Sequence, residues 1–429
     1  MSSPDPLPSP WHDRRILLGL TGGIAAYKLC SVASSLAKAG AQVRPILTAT
    51  AQNFITPLTL STLCRHHAYT DLDFWAPSAP RPLHIELGEW AEALVIAPLT
   101  ANTLAKLALG FADNLLTNTI LASRCPVLLV PAMNTDMWEQ EVVQQHWQTL
   151  LGQGRYVGLE PGTGVLACDR QGAGRMAEPE SILAALESLL HTNGRRDWAG
   201  QRVLVTAGST QEYWDPVRFL GNPATGRMGV ALAQAAAHRG AEVTLIQGTG
   251  LESAVLEAAL EGTQVRCVRV TRSAQMQDAL HQAFPSQDWV FMAAAVADLR
   301  PKTYHATKLP KAQLPEQLAL ESVPDLIATL ARQKQPHQRL VGFAAQTGDI
   351  IPPAREKLKF KGLDAIVANP VDQAHSGFGS HWNQAVLLDR SGRQRAISPC
   401  TKLTLAHYIL DFVQDLPPSP QNSHEDDRR

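Results

Sequence analysis

Cysteine is sparse in this sequence, and none of it is paired by spacing. Cys30, Cys64, Cys125, Cys168, Cys267 and Cys400 are scattered over 429 residues, with no CxxC pair and no zinc-binding interval. That pattern argues against a disulfide scaffold and fits a reducing, cytoplasmic setting. Charge of one sign is also missing. Lys and Arg number 38 against 39 Asp and Glu, a formal net charge of −1. Such a balance gives no electrostatic footprint for nucleic acid or an anionic membrane. No apolar run approaches membrane-spanning length. The opening MSSPDPLPSPW is rich in Pro and Ser and has no apolar core, unlike a signal peptide, and the closing DLPPSPQNSHEDDRR reads as a disordered end. The first strand–helix turn lacks the full GxGxxG. After AQVRPILT the chain offers Thr50 with no Asp or Glu nearby, which argues against a Rossmann-type NAD(P) dehydrogenase.

What remains is ordinary globular material, 45% hydrophobic and 18% charged, long enough for two or three domains of about 150 residues each. Two stretches open alike. RILLGL (15–20) reads as a buried strand ended by Thr21-Gly22-Gly23, and the next helix carries Ala25, Leu29, Val32, Ala33 and Leu36 on one face. Gly40 ends it and a second strand follows. QRVLVTAG (201–208), the helix GRMGVALAQAAAHRG and the strand AEVTLIQG repeat the arrangement. Further buried strands are expected at ALVIAP (93–98), where Pro98 ends the strand, and at PVLLVPA (126–132), WVFMAAA (289–295) and DAIVANP (364–370). Alternating strands and helices predict an α/β chain of two domains, each a Rossmann-like parallel sheet with helices on both faces. The polar segment 191–201 is the expected boundary, giving domains over 13–190 and 198–415. Ligands in such folds sit at the carboxyl ends of the strands.

In the first half, Gly22 and Gly23 sit where small residues let a phosphate approach a helix N-terminus, or where they serve packing alone. Thr100, Asn102 and Thr103 present hydroxyl and amide groups at a strand end, as ligand contacts or as helix caps. Met133 and Asn134 end the next strand in PAMNTDMW. His84 has a side chain suited to a general base, although a lone His is more often structural. Cys168 lies in a loop whose Gly162, Gly164, Gly172 and Gly174 predict a mobile flap.

These residues carry a resemblance. TGGIAAYK, FITPL, HIELGEWA, APLTANT, PAMNTDMW and ACDRQGAGRM occur in order from Arg15 to Met176. Together they resemble the flavin-dependent cysteine decarboxylases, phosphopantothenoylcysteine decarboxylase above all. The resemblance implies FMN bound between subunits at Gly22, Gly23, Thr100, Asn102, Thr103 and Met133. It implies His84 as an essential group beside flavin and substrate, Asn134 on the substrate carboxylate and Cys168 as proton donor. Oxidation of the substrate thiol to a thioaldehyde then supplies the electron sink that carbon dioxide loss needs. Asp169 stands where that family usually has glycine.

In the second half, Gly226 and Gly229 flank Arg227 at a helix start, either an anion-binding terminus or helix-packing glycines. Asp298 lies just past a strand end, and Lys308, Lys311, Lys357, Lys359 and Lys361 occupy stretches that are more often solvated faces. The motifs TAGSTQEYWDPVRFLGNPATGRMG, AAAVADLR, VGFAAQT and KLKFKGLDAIVAN, with a lysine ten places after Asp298, resemble phosphopantothenate–cysteine ligase domains. The resemblance implies a CTP site at Met292, Ala293, Ala294, Asp298, Lys308, Pro324, Asp325, Phe343, Lys357 and Lys361, with Asn222 handling an acyl cytidylate. Substrates would be 4′-phosphopantothenate, L-cysteine and CTP, with Mg2+ accompanying the triphosphate on ligands left unassigned. Gln346 and PATG depart from the family pattern. The order decarboxylase-then-ligase resembles fused bacterial proteins of coenzyme A biosynthesis and implies a homo-oligomer, a dodecamer of trimers and dimers. The competing expectation is a non-catalytic flavoprotein regulatory subunit, against which His84, Asn134 and Cys168 all stand.

Overall fold

The computed structural model describes residues 9–76, 81–165, 171–373, 379–380 and 382–417. Two compact units emerge: 1–197 with 257–263, and 198–256 with 264–429.

The first unit is built on β1 (Arg15–Leu20), β2 (Gln42–Leu47), β3 (Ala93–Leu99), β4 (Val127–Pro131) and β5 (Tyr156–Gly158). All pair in parallel, in the order β2-β1-β3-β4-β5. The strands read as unbroken apolar runs because both faces are covered. Ile16, Leu18 and Leu20 enter one core with Leu29, Val32 and Leu36 of the helix Ala26–Lys38, while Leu17, Leu94 and Ile96 enter the core on the opposite face. Ala25 caps that helix and is only half-buried; Ala26 takes the core position expected of it. The third strand does not stop at Pro98. It runs to Leu99, and its register against β4 shifts between Ile96 and Leu99, which accommodates a residue with no N–H to donate. A hairpin of β6 (Gly162–Val165) and β7 (Gln171–Arg175) follows. The described ends of the stretch expected as a flap pair as antiparallel strands. Two of its glycines serve close approach: a Cβ on Gly174, at φ +137°, would lie 2.2 Å from the Met133 carbonyl oxygen, and one on Gly172 would lie 2.5 Å from Thr135 Oγ1.

In the second unit the strands are β8 (Arg202–Ala207), a small pair β9 (Gln211–Tyr213) and β10 (Phe219–Gly221), then β11 (Glu242–Gln247), β12 (Arg266–Arg269) and β13 (Trp289–Met292). A second small pair, β14 (Leu299–Pro301) and β15 (Leu320–Ser322), precedes β16 (Arg339–Gln346), β17 (Ala365–Pro370), β18 (Trp382–Asp389) and β19 (Gln394–Thr401). The main sheet runs β12-β11-β8-β13-β16-β17-β18-β19. It is not purely parallel, because β18 and β19 pair antiparallel at one edge. Trp382–Asp389 is buried on alternate residues over its first half, as expected of a strand with one face turned outward. The strand expected over 289–295 ends at Met292, where the Ala294 N–H turns to donate to Thr206 Oγ1.

Candidate active sites

In the first unit the strand order reverses direction between β1 and β3, and the crevice at the carboxyl ends of such a pair is where open α/β sheets bind ligands. Thr21 joins those two ends. Its hydroxyl donates to the Pro98 carbonyl at 2.5 Å and accepts from the Thr100 N–H at 3.1 Å. The two glycines of the turn differ. A Cβ on Gly22 would lie 2.5 Å from Thr50 Cβ, so packing alone demands glycine there. A Cβ on Gly23 would meet Pro98 at an ordinary 3.5 Å, so the fold does not require that glycine. Thr100 caps the helix Ala101–Leu109, accepting from the Thr103 N–H, and its hydroxyl donates to the buried Thr103 hydroxyl. Asn102 is exposed.

Asn134 begins the short helix Thr135–Trp138, its Oδ1 accepting from the Met137 N–H at 2.9 Å. No partner within the chain is found for its Nδ2 among the described residues, which leaves an amide donor available. The Met133 N–H donates to the Gly174 carbonyl, so β7 is fastened to the Met133–Asn134 strand tip. His84 lies on the helix Leu83–Trp90, its ring edge-on to Phe74 at 5.4 Å. Its Nδ1 and the Thr135 hydroxyl are buried without a hydrogen-bond partner. Buried polar atoms left unpaired in this way call for a partner that the chain does not supply. Cys168 and Asp169 lie outside the described residues.

The second site is a cavity of about 480 Å³ at the equivalent reversal between β8 and β13. It brings together Asn222, Met292, Ala293, Ala294, Asp298, Pro324, Asp325, Phe343, Lys357 and Lys361. Asn222 Nδ2 sits 3.5 Å from the carbonyls of Ala295 and Val296. The glycines of the approaching helix are structural: a Cβ on Gly229 would lie 2.6 Å from Ala207 Cβ, and Gly226 caps the helix Arg227–His238 at φ +77°. Lys357 Nζ donates to the Phe343 carbonyl at 3.0 Å. Burial and the neighbouring Lys361 charge hold the Lys357 ammonium below its usual range despite Asp325 and Asp298. Asp325 caps the helix Leu326–Gln333 with one carboxylate oxygen and pairs with Lys361 Nζ at 2.7 Å with the other. Burial alone would raise Asp325; the Lys361 hydrogen bond, the Ala328 N–H and the charges of Lys361 and Lys357 outweigh it and hold the carboxyl low.

Lys308 is not among the residues lining the cavity. It is exposed on the segment between β14 and β15, which is tied down next door: the Leu309 N–H donates to the buried Asp215 carboxylate, and Arg218 bonds both Asp215 and the Leu309 carbonyl. Gln346 is likewise absent from the lining. Asn369, Asn383 and Lys402 line the cavity without having been singled out in the sequence. Lys402 had a legible signal, since a cation in the first turn of a helix opposes the helix dipole. Among the described residues no group of His, Cys, Asp and Glu is arranged to hold a metal ion, and no helix is long and apolar enough to cross a membrane.

Residues 6–191 match the family model described as Flavoprotein. Residues 198–416 match the one described as the DNA/pantothenate metabolism flavoprotein C-terminal domain. The coenzyme A biosynthesis bifunctional protein CoaBC of Bacillus subtilis is 39% identical over 407 residues, covering 94% of this chain and 98% of that one. The chain belongs to the CoaBC family. It is a bifunctional flavoprotein enzyme of coenzyme A biosynthesis, a decarboxylase and a ligase in one chain. The CoaBC protein of Mycobacterium tuberculosis H37Rv is also 39% identical, over 93% of this chain and 96% of its own. A solved C-terminal domain of a CoaBC protein aligns at 33% identity and a TM-score of 0.42, covering 50% of this chain and 95% of that domain.

Proposed function

We propose that the cavity of the second unit binds CTP and 4′-phosphopantothenate, and that the first unit decarboxylates what the second makes. The observation that carries this reading is the convergence of Asn222, the strand tip Met292–Ala294, Asp298, Phe343, Lys357 and Lys361 on one 480 Å³ cavity at a sheet reversal. The phosphopantothenate carboxylate attacks the α-phosphorus of CTP, pyrophosphate leaves, and the cysteine amine displaces CMP from the acyl cytidylate. Lys357 and Lys361 offset charge on the phosphates, and the Asn222 amide donates to the acyl oxygen. Mg2+ would enter on the triphosphate oxygens with Asp298 as the nearby carboxylate, since that ion keeps waters and substrate phosphates as ligands. Lys308 acts if its segment closes over the cavity or reaches that of a second subunit.

In the first unit, Gly23, the carboxyl ends of β1 and β3, and Met133 would hold FMN, which supplies reversible oxidation of the substrate thiol. His84, with its unpaired buried Nδ1, faces the reacting thiol and moves its proton. Asn134 Nδ2 donates to the substrate carboxylate until carbon dioxide leaves, and Cys168 returns a proton to carbon. The decarboxylase domain is assigned to 13–190 and the ligase domain to 198–415, working in the cytoplasm as a dodecamer.

Isotope exchange tests the ligase half. Labelled pyrophosphate should enter CTP only when 4′-phosphopantothenate is present, with no need for cysteine. Exchange without phosphopantothenate, or none with it, contradicts an acyl cytidylate.

A further inference from the structure

Two helices start at the cavity of the second unit and run side by side. One is Arg227–His238 and the other is Lys402–Gln414, close to the C-terminus of the chain. Their far ends are fastened together: Arg239, itself buried, bonds Asp411 at 2.7 Å, Gln414 at 3.1 Å and the His407 carbonyl. At their near ends Arg227 and Lys402 both line the cavity, close enough for their charges to repel. The helices are therefore parallel, and both positive dipole ends meet at one wall of the cavity. The Gly226 cap has no side chain to offer the first turn of its helix. Thr401 caps the other, accepting from the Thr404 N–H at 3.0 Å.

Lys402 is the unexplained group at this wall. Its side chain belongs to a residue only 8% exposed. Among the described residues no carboxylate pairs with it and no acceptor takes its protons. Lys357 and Lys361, by contrast, are occupied by the Phe343 carbonyl and by Asp325. Holding an ammonium on a buried stem at the cavity wall, beside a guanidinium and two helix N-termini, costs free energy that an anion in the cavity would offset. The ammonium is correspondingly reluctant to stay charged: burial first, then Arg227, pushes it down to about 8.

We propose that Lys402, together with Arg227 and the open first turn of Arg227–His238, is a phosphate-holding residue of this cavity. The inference rests on the ligase reading, in which two substrates bear phosphates: CTP and 4′-phosphopantothenate.

The test uses the purified full-length chain, wild type and Lys402→Met, and measures binding of CTP against cytidine and of 4′-phosphopantothenate against pantothenate. Loss of one charge-assisted contact should weaken one phosphate-bearing substrate by about 10–100-fold, leave its phosphate-free counterpart unchanged, and be largely restored in Lys402→Arg. Weakening confined to CTP assigns the nucleotide phosphates; weakening confined to 4′-phosphopantothenate assigns its own. Unchanged binding of both, with the wild type binding normally, overturns the inference and leaves the ligase reading intact. A wild type that binds inorganic pyrophosphate through Lys402 but neither substrate overturns the ligase reading and keeps the phosphate site. Should Lys402→Met fail to fold, amine labelling of the wild type decides: protection of Lys402 by either substrate supports the site, and equal labelling with and without both removes it.

Discussion

Gly22 and Gly23 are neighbours that answer to different requirements. Gly22 is held by Thr50, which a methyl would strike, whereas Gly23 has room for one. Gly22→Ala should destabilise the fold by about 1–3 kcal/mol through overpacking, with or without flavin. Gly23→Ala should leave the flavin-free unfolding midpoint in place and weaken retention of FMN. Thermal unfolding of flavin-stripped and reconstituted protein separates the two, and a Gly23→Ala protein that holds FMN like the wild type shows that this turn is packing alone. Asn134 stood out in the sequence as a polar residue at the end of a buried strand, whereas His84, Lys357 and Lys361 sit on or at the end of helices and were picked out by the family motifs; the structure brings Lys357 and Lys361 to the cavity wall. Lys402 was passed over although a cation in a helix's first turn opposes the dipole, because its helix reads as an ordinary amphipathic element and only the parallel packing of two helices brings its head to the cavity.

The hairpin β6–β7 and the loop between β14 and β15 show what sequence composition conceals. Glycine density in 162–174 reads as a flap, and composition does not show that two of those glycines also let the hairpin press onto Met133 and Thr135. Gly174→Ala should therefore loosen the hairpin and lower decarboxylase turnover while the ligation rate holds. Comparison of the two half-reactions checks this, and equal loss of both contradicts it. The loop bearing Lys308 hangs on Asp215, a fully buried carboxylate. Burial favours its neutral form, but the N–H groups of Val217, Arg218 and Leu309 and the Arg218 side chain prevail and hold it below the usual carboxylate range. A depressed folded-state value means the anchoring is complete above about pH 4, the ordinary value for Asp, and is lost as pH falls through the lower folded value. Hydrogen exchange at the Leu309 amide should accelerate on acidification through that window, and Asp215→Asn should abolish the pH dependence. Unaltered exchange in the acid window would place the anchor elsewhere.

Taken as one molecule, the chain uses one solution twice: a sheet, parallel throughout in the first unit and antiparallel at one edge in the second, whose strand order reverses once, with a candidate site beside the reversal. The parallel pairing followed from apolar runs alternating with helical periods; the strand order and its reversal did not. The antiparallel edge β18–β19 was not legible, because pairing direction at a sheet edge depends on connections that periodicity does not encode. Because each unit holds its own candidate site, the half-reactions should separate by mutation. Lys308→Gln should cost ligation about 10²–10³ in rate while supplied phosphopantothenoylcysteine is still decarboxylated. Cys168→Ser should leave ligation intact and yield a product two hydrogens lighter than phosphopantetheine.

The most direct test of the account follows mass through the unmodified protein. With 4′-phosphopantothenate, L-cysteine, CTP and Mg2+, the purified FMN-loaded chain should form phosphopantothenoylcysteine and then 4′-phosphopantetheine, releasing CMP and pyrophosphate in equal amounts. Omitting CTP should stop both products, and adding phosphopantothenoylcysteine should restore the second. A chain that holds FMN yet makes neither product, or makes the first without CTP, contradicts the central claim.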